Sequence, residues 1–213
     1  MEKKYTSKMH ILTLPGFVHA ELKVLREMLS WPQLTVHIRK PELSPGELCE
    51  YLTQFTPTER EKLILHGDPE IARAFGVSKI HYGAYLRNKY APGEPIDTSV
   101  RSTSTHSWAE FNRLNSPIEM AFIGPLFPSI SKPGYKPHNN LESAVRSNFR
   151  VKAIALGGLT CRNVSLLARS SYDDYAFCGA IWQADSPIEQ AQRCYEQALK
   201  IQNSGYMNFS NTD

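Results

Sequence analysis

Eight short apolar segments recur at fairly regular spacing along this 213-residue chain, and amphipathic stretches separate most of them. Short apolar runs bounded by turn residues predict buried strands, whereas apolar residues spaced three and four apart predict helices that cover one face. Strands that alternate with helices build parallel sheets, and eight such units close into a barrel. We therefore expect an α/β protein with a single (β/α)8 barrel, the TIM barrel.

The predicted elements follow one another with few interruptions. The eight strands are expected at 9–14, 34–38, 62–65, 79–82, 100–104, 120–123, 151–156 and 175–178. Helices are expected at 18–30, 45–54, 69–75, 107–114, 141–147, 162–168 and 187–202. The segment 84–97 carries Pro92, Gly93 and Pro95 without a helical stripe, so a loop is expected in place of the fourth helix. One barrel domain over 1–213 is expected, with its core at about 8–202 and a frayed polar tail at 203–213.

Composition excludes several classes of protein. Hydrophobic residues make up 41% and charged residues 21%, which is typical of a globular chain and not of a disordered one. The net charge is only +3 and no segment is dense in lysine or arginine, so no nucleic-acid partner is expected. No apolar run approaches the roughly 18 residues of a membrane span, and four cysteines without paired spacing indicate reduced thiols. These features favour a cytoplasmic protein, and they leave its oligomeric state open, with a homodimer as one option.

Two of the predicted strands end in residues suited to bind an anion. The sixth runs into Gly124-Pro125-Leu126-Phe127-Pro128-Ser129-Ile130-Ser131-Lys132, and the seventh runs into Gly157-Gly158. Alternate hydroxyls on one face, a lysine and close-approaching glycine N–H groups are donors that suit a phosphate. In a (β/α)8 barrel the carboxyl ends of the strands form the active site, and phosphate commonly binds after strands 7 and 8. The pattern therefore predicts an enzyme that handles phosphates.

The other strand ends supply further candidates of the same kind. The residues with polar, charged or close-approaching groups are His37, Arg39, Lys40, His66, Asp68, His81, Ser104, His106, Cys178 and Gly179. A histidine near its ordinary pKa is suited to acid–base work, and a cysteine at a strand end more often packs than reacts. Asp68 precedes Pro69 and equally suits a helix N-cap.

Several ordered motifs resemble the thiamine phosphate synthase and thiazole tautomerase superfamily. The family's Gly-Pro-x-Phe-x-Thr-x-Thr-Lys loop corresponds to the segment 124–132, with serines for threonines. Its Ser-x-His motif corresponds to Ser104-Thr105-His106, its Gly-Val-His-Leu-Gly strand to 79–83, and its Ile-Gly-Gly-Ile-x-x-x-Asn segment to 156–163. The motifs keep one order and one register from about residue 9 to 202.

The resemblance implies a transferase of thiamine biosynthesis that joins hydroxymethylpyrimidine diphosphate to thiazole phosphate and releases pyrophosphate. It implies that Arg39, Ser104 and Lys132 hold the pyrophosphate, with Lys40 as a further cation. Ser129 and Ser131, with N–H groups at Gly158, Cys178 and Gly179, would hold the thiazole phosphate. His81 would lie near the pyrimidine. Such a reaction depends on stabilising the charge of the leaving group.

The sequence departs from the family at the expected magnesium positions. The family's Asn-Asp after the third strand is His66-Gly67 here, and the second aspartate position falls at about Leu86. The metal ligands are thus unknown: Asp68 is the one nearby carboxylate, and Mg²⁺ is expected only together with a diphosphate substrate. The alternatives are a thiazole tautomerase-like isomerase, in which His66 or His106 would replace the family's proton-shuttling histidine at Pro125, and a non-catalytic binder of phosphorylated ligands.

Overall fold

A computed structural model describes residues 9–83, 87, 100–128, 145–168 and 170–206, with the backbone alone at 100 and over 202–206. Its eight strands form a closed, all-parallel barrel in the order β1 to β8, which confirms the predicted fold. The strands are β1 (Met9–Leu12), β2 (Leu34–Ile38), β3 (Leu63–His66), β4 (Ile80–Tyr82), β5 (Val100–Thr105), β6 (Met120–Ile123), β7 (Lys152–Ala155) and β8 (Asp174–Phe177). Each begins within two residues of its predicted position.

Helices surround the described part of the barrel, with bounds near the predicted ones. They are α1 (Glu21–Leu29), α2 (Pro45–Thr53), α3 (Pro57–Arg60), α4 (Pro69–Ala74), α5 (Trp108–Phe111), α6 (Gly179–Trp182) and α7 (Pro187–Tyr206). The sequence did not predict α3 and α6, whose four residues are too few to show a helical period. The expected helix at 162–168 is a 3₁₀ turn, Val164–Leu167. No described helix is long and apolar enough to cross a membrane.

Two sequence predictions fall on parts of the chain outside the described residues. The loop expected at 84–97 has only Arg87 within the described part. Of the helix expected at 141–147, residues 145–147 are described, and they are not helical. Arg146 fixes this end of the segment: its guanidinium donates to the backbone oxygens of Asn148, Val151 and Ser171, which ties it to the amino ends of β7 and β8.

The core has two layers, set by the alternation of side chains along each strand. One layer lies between the strands and the helices and contains aliphatic and aromatic side chains such as Val36, Leu65 and Phe177. The other lies inside the barrel, where Leu12, Phe122, Ile154 and Ala176 form a small apolar cluster. Much of the rest of the interior is occupied by buried polar side chains, including those of His10, His37 and His81.

The loops after β6 and β7 are held together through glycines. The N–H groups of Leu126 and Phe127 donate to the carbonyl oxygens of Leu156 and Gly157. A Cβ on Gly124 would lie 2.0 Å from the Leu156 oxygen, and one on Gly158 would lie 2.5 Å from the Pro128 oxygen. Glycine is therefore required at this junction because the two backbones touch.

The close approach at Gly158 gives a stability prediction with a matched control. Gly158 has φ +64° and Gly76 has φ +67°, but a Cβ at Gly76 would meet nothing within 4 Å. Gly76→Ala should cost about 1–2 kcal/mol, the strain of a left-handed backbone alone. Gly158→Ala should cost clearly more, because the new methyl group overlaps backbone atoms. Urea denaturation of both variants measures the difference, and equal costs would show that the loops separate freely.

A buried ion pair closes the space between β2, α1 and α2. Lys40, which is 4% exposed, donates to the carbonyl oxygen of Gly16 at 2.6 Å and to Glu21 at 2.7–2.8 Å. The Tyr51 hydroxyl donates to the second Glu21 oxygen at 2.8 Å, and burial beside this carboxylate raises the pKa of Tyr51. Because each oxygen of Glu21 has a partner, the pair is satisfied without water.

Removal of one partner of this pair should be strongly destabilising. Glu21→Gln leaves the Lys40 ammonium buried without a counter-charge, and such broken pairs cost about 3–5 kcal/mol. Glu70→Gln is the control, because Glu70 pairs with Arg73 in an exposed position where the expected cost is about 1 kcal/mol or less. Chemical denaturation at pH 7 compares the two. A Glu21→Gln protein as stable as Glu70→Gln would contradict the buried pairing.

Candidate active site

Four histidines lie inside the barrel on four consecutive strands. His10 is on β1, His37 on β2, His66 on β3 and His81 on β4, and in each case the alternation of the strand directs the ring inward. His10 and His37 have no exposed surface, His81 is 3% exposed, and His66 is half-buried at the carboxyl end of β3. The Phe122 ring lies 4.8–6.2 Å from all four imidazole centroids and forms an apolar wall beside them.

Three of these rings form one hydrogen-bonded row. His10 Nδ1 lies 3.0 Å from His37 Nε2, and His37 Nδ1 lies 2.9 Å from His66 Nε2. At the other end, His10 Nε2 lies 3.4 Å from Asp174 Oδ2, and Lys152 Nζ lies 3.3 Å from the same oxygen. Lys152 and Asp174 begin β7 and β8, whereas His66 ends β3. The row therefore runs from the amino end of the barrel to its carboxyl end.

The fourth ring is stacked against the end of this row. His81 lies on His66 with a centroid distance of 3.8 Å and an interplanar angle of 10°. Its Nδ1 lies 2.9 Å from Ser102 Oγ and its Nε2 lies 3.0 Å from Ser104 Oγ, on the neighbouring strand β5. Because serine hydroxyls both donate and accept, they hold this ring in place in either tautomer.

Burial keeps three of the imidazoles neutral. Desolvation, followed by the neighbouring His10 and His81, holds the pKa of His37 well below its usual range. The pKa of His66 is also lowered, mainly by burial and then by His81, His37 and Arg39. Burial, followed by Arg39 and Arg87, lowers the pKa of His81 to about 3. A charged imidazole in a poorly solvated interior is disfavoured, so these three rings are neutral bases at pH 7.

Two arginines lie at the barrel mouth with different partners. The backbone of Arg39 is fixed by Thr13, whose hydroxyl accepts from the Arg39 N–H at 2.9 Å. Among the described residues no carboxylate pairs with the Arg39 guanidinium, whereas Arg87 pairs with Glu110 and donates to the Ser104 carbonyl oxygen at 2.6 Å. Arg39 is thus the cation at this site that is suited to meet an anionic ligand, and Arg87 stiffens the end of β5.

His106 connects the loops after β5 and β6. Its Nδ1 lies 3.0 Å from the Gly124 oxygen and therefore donates to it, and its backbone N–H donates to Glu110 at 2.8 Å. Ser107 caps α5 by accepting from the Glu110 N–H. The resulting turn holds the start of the segment 124–132 at the same mouth as Arg39.

The structure gathers most of the sequence candidates at this mouth and directs others elsewhere. Arg39, His37, His66, His81, Ser104 and His106 lie on or above the histidine cluster, as described above. Gly157 and Gly158 form the turn after β7, which Asn163 fixes by donating to the Gly158 oxygen at 2.9 Å. Cys178 and Gly179 start α6, which Trp182 anchors to the Leu12 oxygen. Ser129, Ser131 and Lys132 lie outside the described residues.

Two candidates have structural partners that account for their charge. Lys40 follows Arg39 just beyond the end of β2, and its side chain is held by Glu21 of α1. Asp68 is the N-cap of α4, with Oδ1 accepting from the Glu70 N–H at 2.7 Å.

The donor set at the end of β3 does not fit Mg²⁺. His37, His66 and His81 carry nitrogen atoms within 4.8 Å of one another, but Mg²⁺ prefers oxygen ligands. His37 Nδ1 and His66 Nε2 are hydrogen-bonded to each other, and both nitrogens of His81 lie within hydrogen-bond distance of serine hydroxyls, so these nitrogens already have partners. Within the described residues this cluster is a hydrogen-bonded base cluster and not a coordination sphere.

Three members of this site were missed in the sequence. His10, Lys152 and Asp174 lie at the amino ends of their strands, whereas candidates were sought only at the carboxyl ends. A signal did exist, because a polar residue at the inward position of a buried strand needs a partner. His10 within Met9-His10-Ile11-Leu12 is such a residue.

Comparison with known proteins agrees with this architecture. A thiamine-phosphate synthase of Chlorobium luteolum is 29% identical over 168 residues, covering 74% of this chain and 77% of the relative. One from Listeria monocytogenes serotype 4a is 24% identical over 202 residues, covering 91% and 90%. The crystal structure of thiamine phosphate pyrophosphorylase from Bacteroides thetaiotaomicron superimposes with a TM-score of 0.66 at 19% identity, covering 90% and 97%.

Other barrels share the fold alone. The 3-hexulose-6-phosphate synthase of Salmonella typhimurium superimposes with a TM-score of 0.62 at 14% identity, covering 91% of this chain and 99% of that one. The family model for thiamine monophosphate synthase, in contrast, matches residues 12–181. The chain therefore belongs to the thiamine monophosphate synthase family.

Proposed function

We propose that the protein is a thiamine phosphate synthase-like transferase that couples hydroxymethylpyrimidine diphosphate to thiazole phosphate and releases pyrophosphate. The observation that carries this proposal is Arg39 at the barrel mouth without an acidic partner among the described residues, beside Ser104 and the glycine turn after β7. These positions correspond to the anion-binding motifs of the family. The partners are small phosphorylated molecules, and the cytoplasm is the proposed location.

The proposed roles follow from the position of each group. Arg39 and Ser104 hold the diphosphate, together with Lys132 of the loop after β6. As the carbon–oxygen bond of the pyrimidine breaks, negative charge grows on the pyrophosphate, and fixed cations stabilise that charge most. His81, held by Ser102 and Ser104, lies beneath the pyrimidine and stays neutral, so it adds no repulsion to the cation that forms there.

The thiazole phosphate is proposed to bind above β7 and β8. Gly157 and Gly158 allow a close approach to their backbone, and both have positive φ angles that favour glycine. N–H groups at Gly158, Cys178 and Gly179, with the hydroxyls of Ser129 and Ser131, would receive the phosphate. The thiazole nitrogen then forms the new bond to the methylene carbon of the pyrimidine.

Metal use is proposed to differ from that of relatives with the usual carboxylates. His66 occupies the position of the family's asparagine and Gly67 that of its aspartate, and Asp68 is committed to the cap of α4. Any requirement for Mg²⁺ would come from the diphosphate substrate, whose oxygens supply its ligands.

A related isomerase is the second candidate, and the histidine cluster favours it. The neutral imidazole of His66 lies at the end of β3, next to His37 and His81, where a coupling enzyme of this family has an amide and a carboxylate. His66 is the half-buried member of the row and is placed to exchange a proton with a ligand. A thiazole tautomerase-like reaction would use such a base, whereas coupling requires none.

Coupling activity and its dependence on Arg39 test the first proposal. The purified protein should form thiamine phosphate from the two substrates, and Arg39→Gln should lower kcat/KM by about 10²–10³-fold, comparable to the loss of one oxyanion-stabilising donor. Arg26→Gln is the control, because Arg26 lies on the outside of α1 beside Glu59 and should change the rate less than twofold.

The outcomes separate the alternatives. Coupling that continues in EDTA would support neutralisation by cationic side chains. Full activity in Arg39→Gln would contradict the proposed site. If coupling is absent and the protein exchanges protons on thiazole substrates, the isomerase is the function and the transferase is not. Ligand binding without either reaction would indicate a non-catalytic protein that binds phosphorylated ligands.

A further inference from the structure

The histidine row inside the barrel has a direction that its fixed end determines. Asp174 is paired with Lys152, so its carboxylate accepts hydrogen bonds and His10 Nε2 must be a donor. A neutral imidazole has only one N–H, which leaves His10 Nδ1 as an acceptor. His37 then donates to His10 from Nε2 and accepts at Nδ1, and His66 in turn donates from Nε2. The carboxylate thereby sets the tautomer of all three rings.

The open end of the row is the remaining nitrogen of His66. With its Nε2 donating to His37, His66 Nδ1 carries a lone pair. No described group forms a hydrogen bond to that nitrogen, and His66 is the half-buried ring of the three, at the carboxyl end of β3. A bare basic nitrogen is therefore presented at the barrel mouth, close to Arg39.

We propose that His10, His37 and His66 form a proton relay through the barrel, with His66 Nδ1 as its open end and Asp174 as its fixed end. A proton that arrives at His66 Nδ1 forms an N–H bond there, and the Nε2 proton of His66 passes to His37 Nδ1. The Nε2 proton of His37 then passes to His10 Nδ1. His10 keeps its own Nε2 proton and becomes an imidazolium beside the Asp174 carboxylate, so one proton enters and one positive charge is held 3.4 Å from a negative one.

The surroundings favour a positive charge at the Asp174 end of the row. Burial and the neighbouring imidazoles hold the pKa values of His37 and His66 well below the usual range, and Arg39 further lowers the pKa of His66. The groups that face the row from each packed element are Arg39 directly after β2, His81 on β4, Ser102 on β5, Phe122 on β6, Lys152 on β7 and Asp174 on β8. Asp174 is the anion in this set, and a positive charge is most stable beside it.

This relay goes beyond the proposed coupling, which joins a nitrogen to a carbon without proton transfer from the barrel interior. It gives the protein an acid–base capacity for an anionic ligand that carries an acidic C–H or N–H and is held by Arg39. His66 is the catalytic group of the relay. His10, His37 and Asp174 are positioning residues that store the proton.

Nitrogen-15 NMR of the histidine rings tests the relay directly and needs no substrate. In the full-length protein at neutral pH, His10, His37 and His66 should all carry the proton on Nε2 and show a bare Nδ1. On acidification, His66 and His37 should exchange to the Nδ1–H tautomer at one shared pH midpoint, as His10 Nδ1 changes from acceptor to donor toward His37. This linked switch of three rings is a property that separate structural histidines do not show.

Variants at the fixed end give the second measurement. Asp174→Asn removes the negative charge while keeping the shape, and the midpoint of the linked switch should fall by about 1–3 pH units. Asp173→Asn is the matched control, because Asp173 is the adjacent residue but pairs with Arg146 at 2.7 Å and leaves the row untouched. It should lower stability without moving the midpoint.

Three results would overturn the relay. A proton on His66 Nδ1 at neutral pH would reverse its direction, and three independent midpoints in the wild-type protein would show that no proton is shared. Stoichiometric Zn²⁺ binding that displaces the ring protons of His37, His66 and His81 would make the cluster a metal site. The wild-type titration alone decides the first two, even where Asp174→Asn fails to fold, and none of the three depends on coupling activity.

Discussion

The cost of burying charge governs the interior of this barrel. Most of the space at the centre of a (β/α)8 barrel is filled by aliphatic side chains, whereas here imidazole rings stand on four consecutive strands. Removal from water penalises their charged forms, and each ring nitrogen must find a partner within reach. The row that ends at Asp174 gives a partner to every ring nitrogen except His66 Nδ1 at the barrel mouth, and the two serines give a partner to both nitrogens of His81.

The neighbouring residues follow from that constraint. Phe122 contacts all four rings. Its ring therefore supplies the apolar packing that aliphatic residues provide in other barrels. Lys152 forms an ion pair with Asp174 at the fixed end of the histidine row, while Arg39 lies near His66 at the open end. The mouth of the barrel thus combines a cation for an anionic ligand with a basic nitrogen, and the glycine junction between the loops after β6 and β7 forms its rim.

Strand alternation and strand ends made much of this arrangement predictable. The apolar runs located all eight strands, and His37, His66 and His81 were found because they lie near carboxyl ends. Arg39 and Lys40 follow the end of β2 and have different surroundings, because Lys40 is paired with Glu21 of α1. The pairing of His10 with Asp174 could not be predicted, because no local pattern in the sequence joins residues 164 positions apart. Their pairing arises from closure of the barrel between β1 and β8.

The central claim, that the buried imidazoles are neutral, is tested most directly by the free energy of unfolding as a function of pH. His37 and His81 have pKa values lowered in the folded state, so the unfolded chain binds protons first as the pH falls below about 6.5. Stability should be constant above that pH and decline by about 1.4 kcal/mol per pH unit for each such ring between pH 6.5 and 5. In His37→Gln the slope should be smaller by about one proton, because one buried imidazole is gone. A flat profile down to pH 5 would show that the rings accept protons in the folded barrel and would contradict the account.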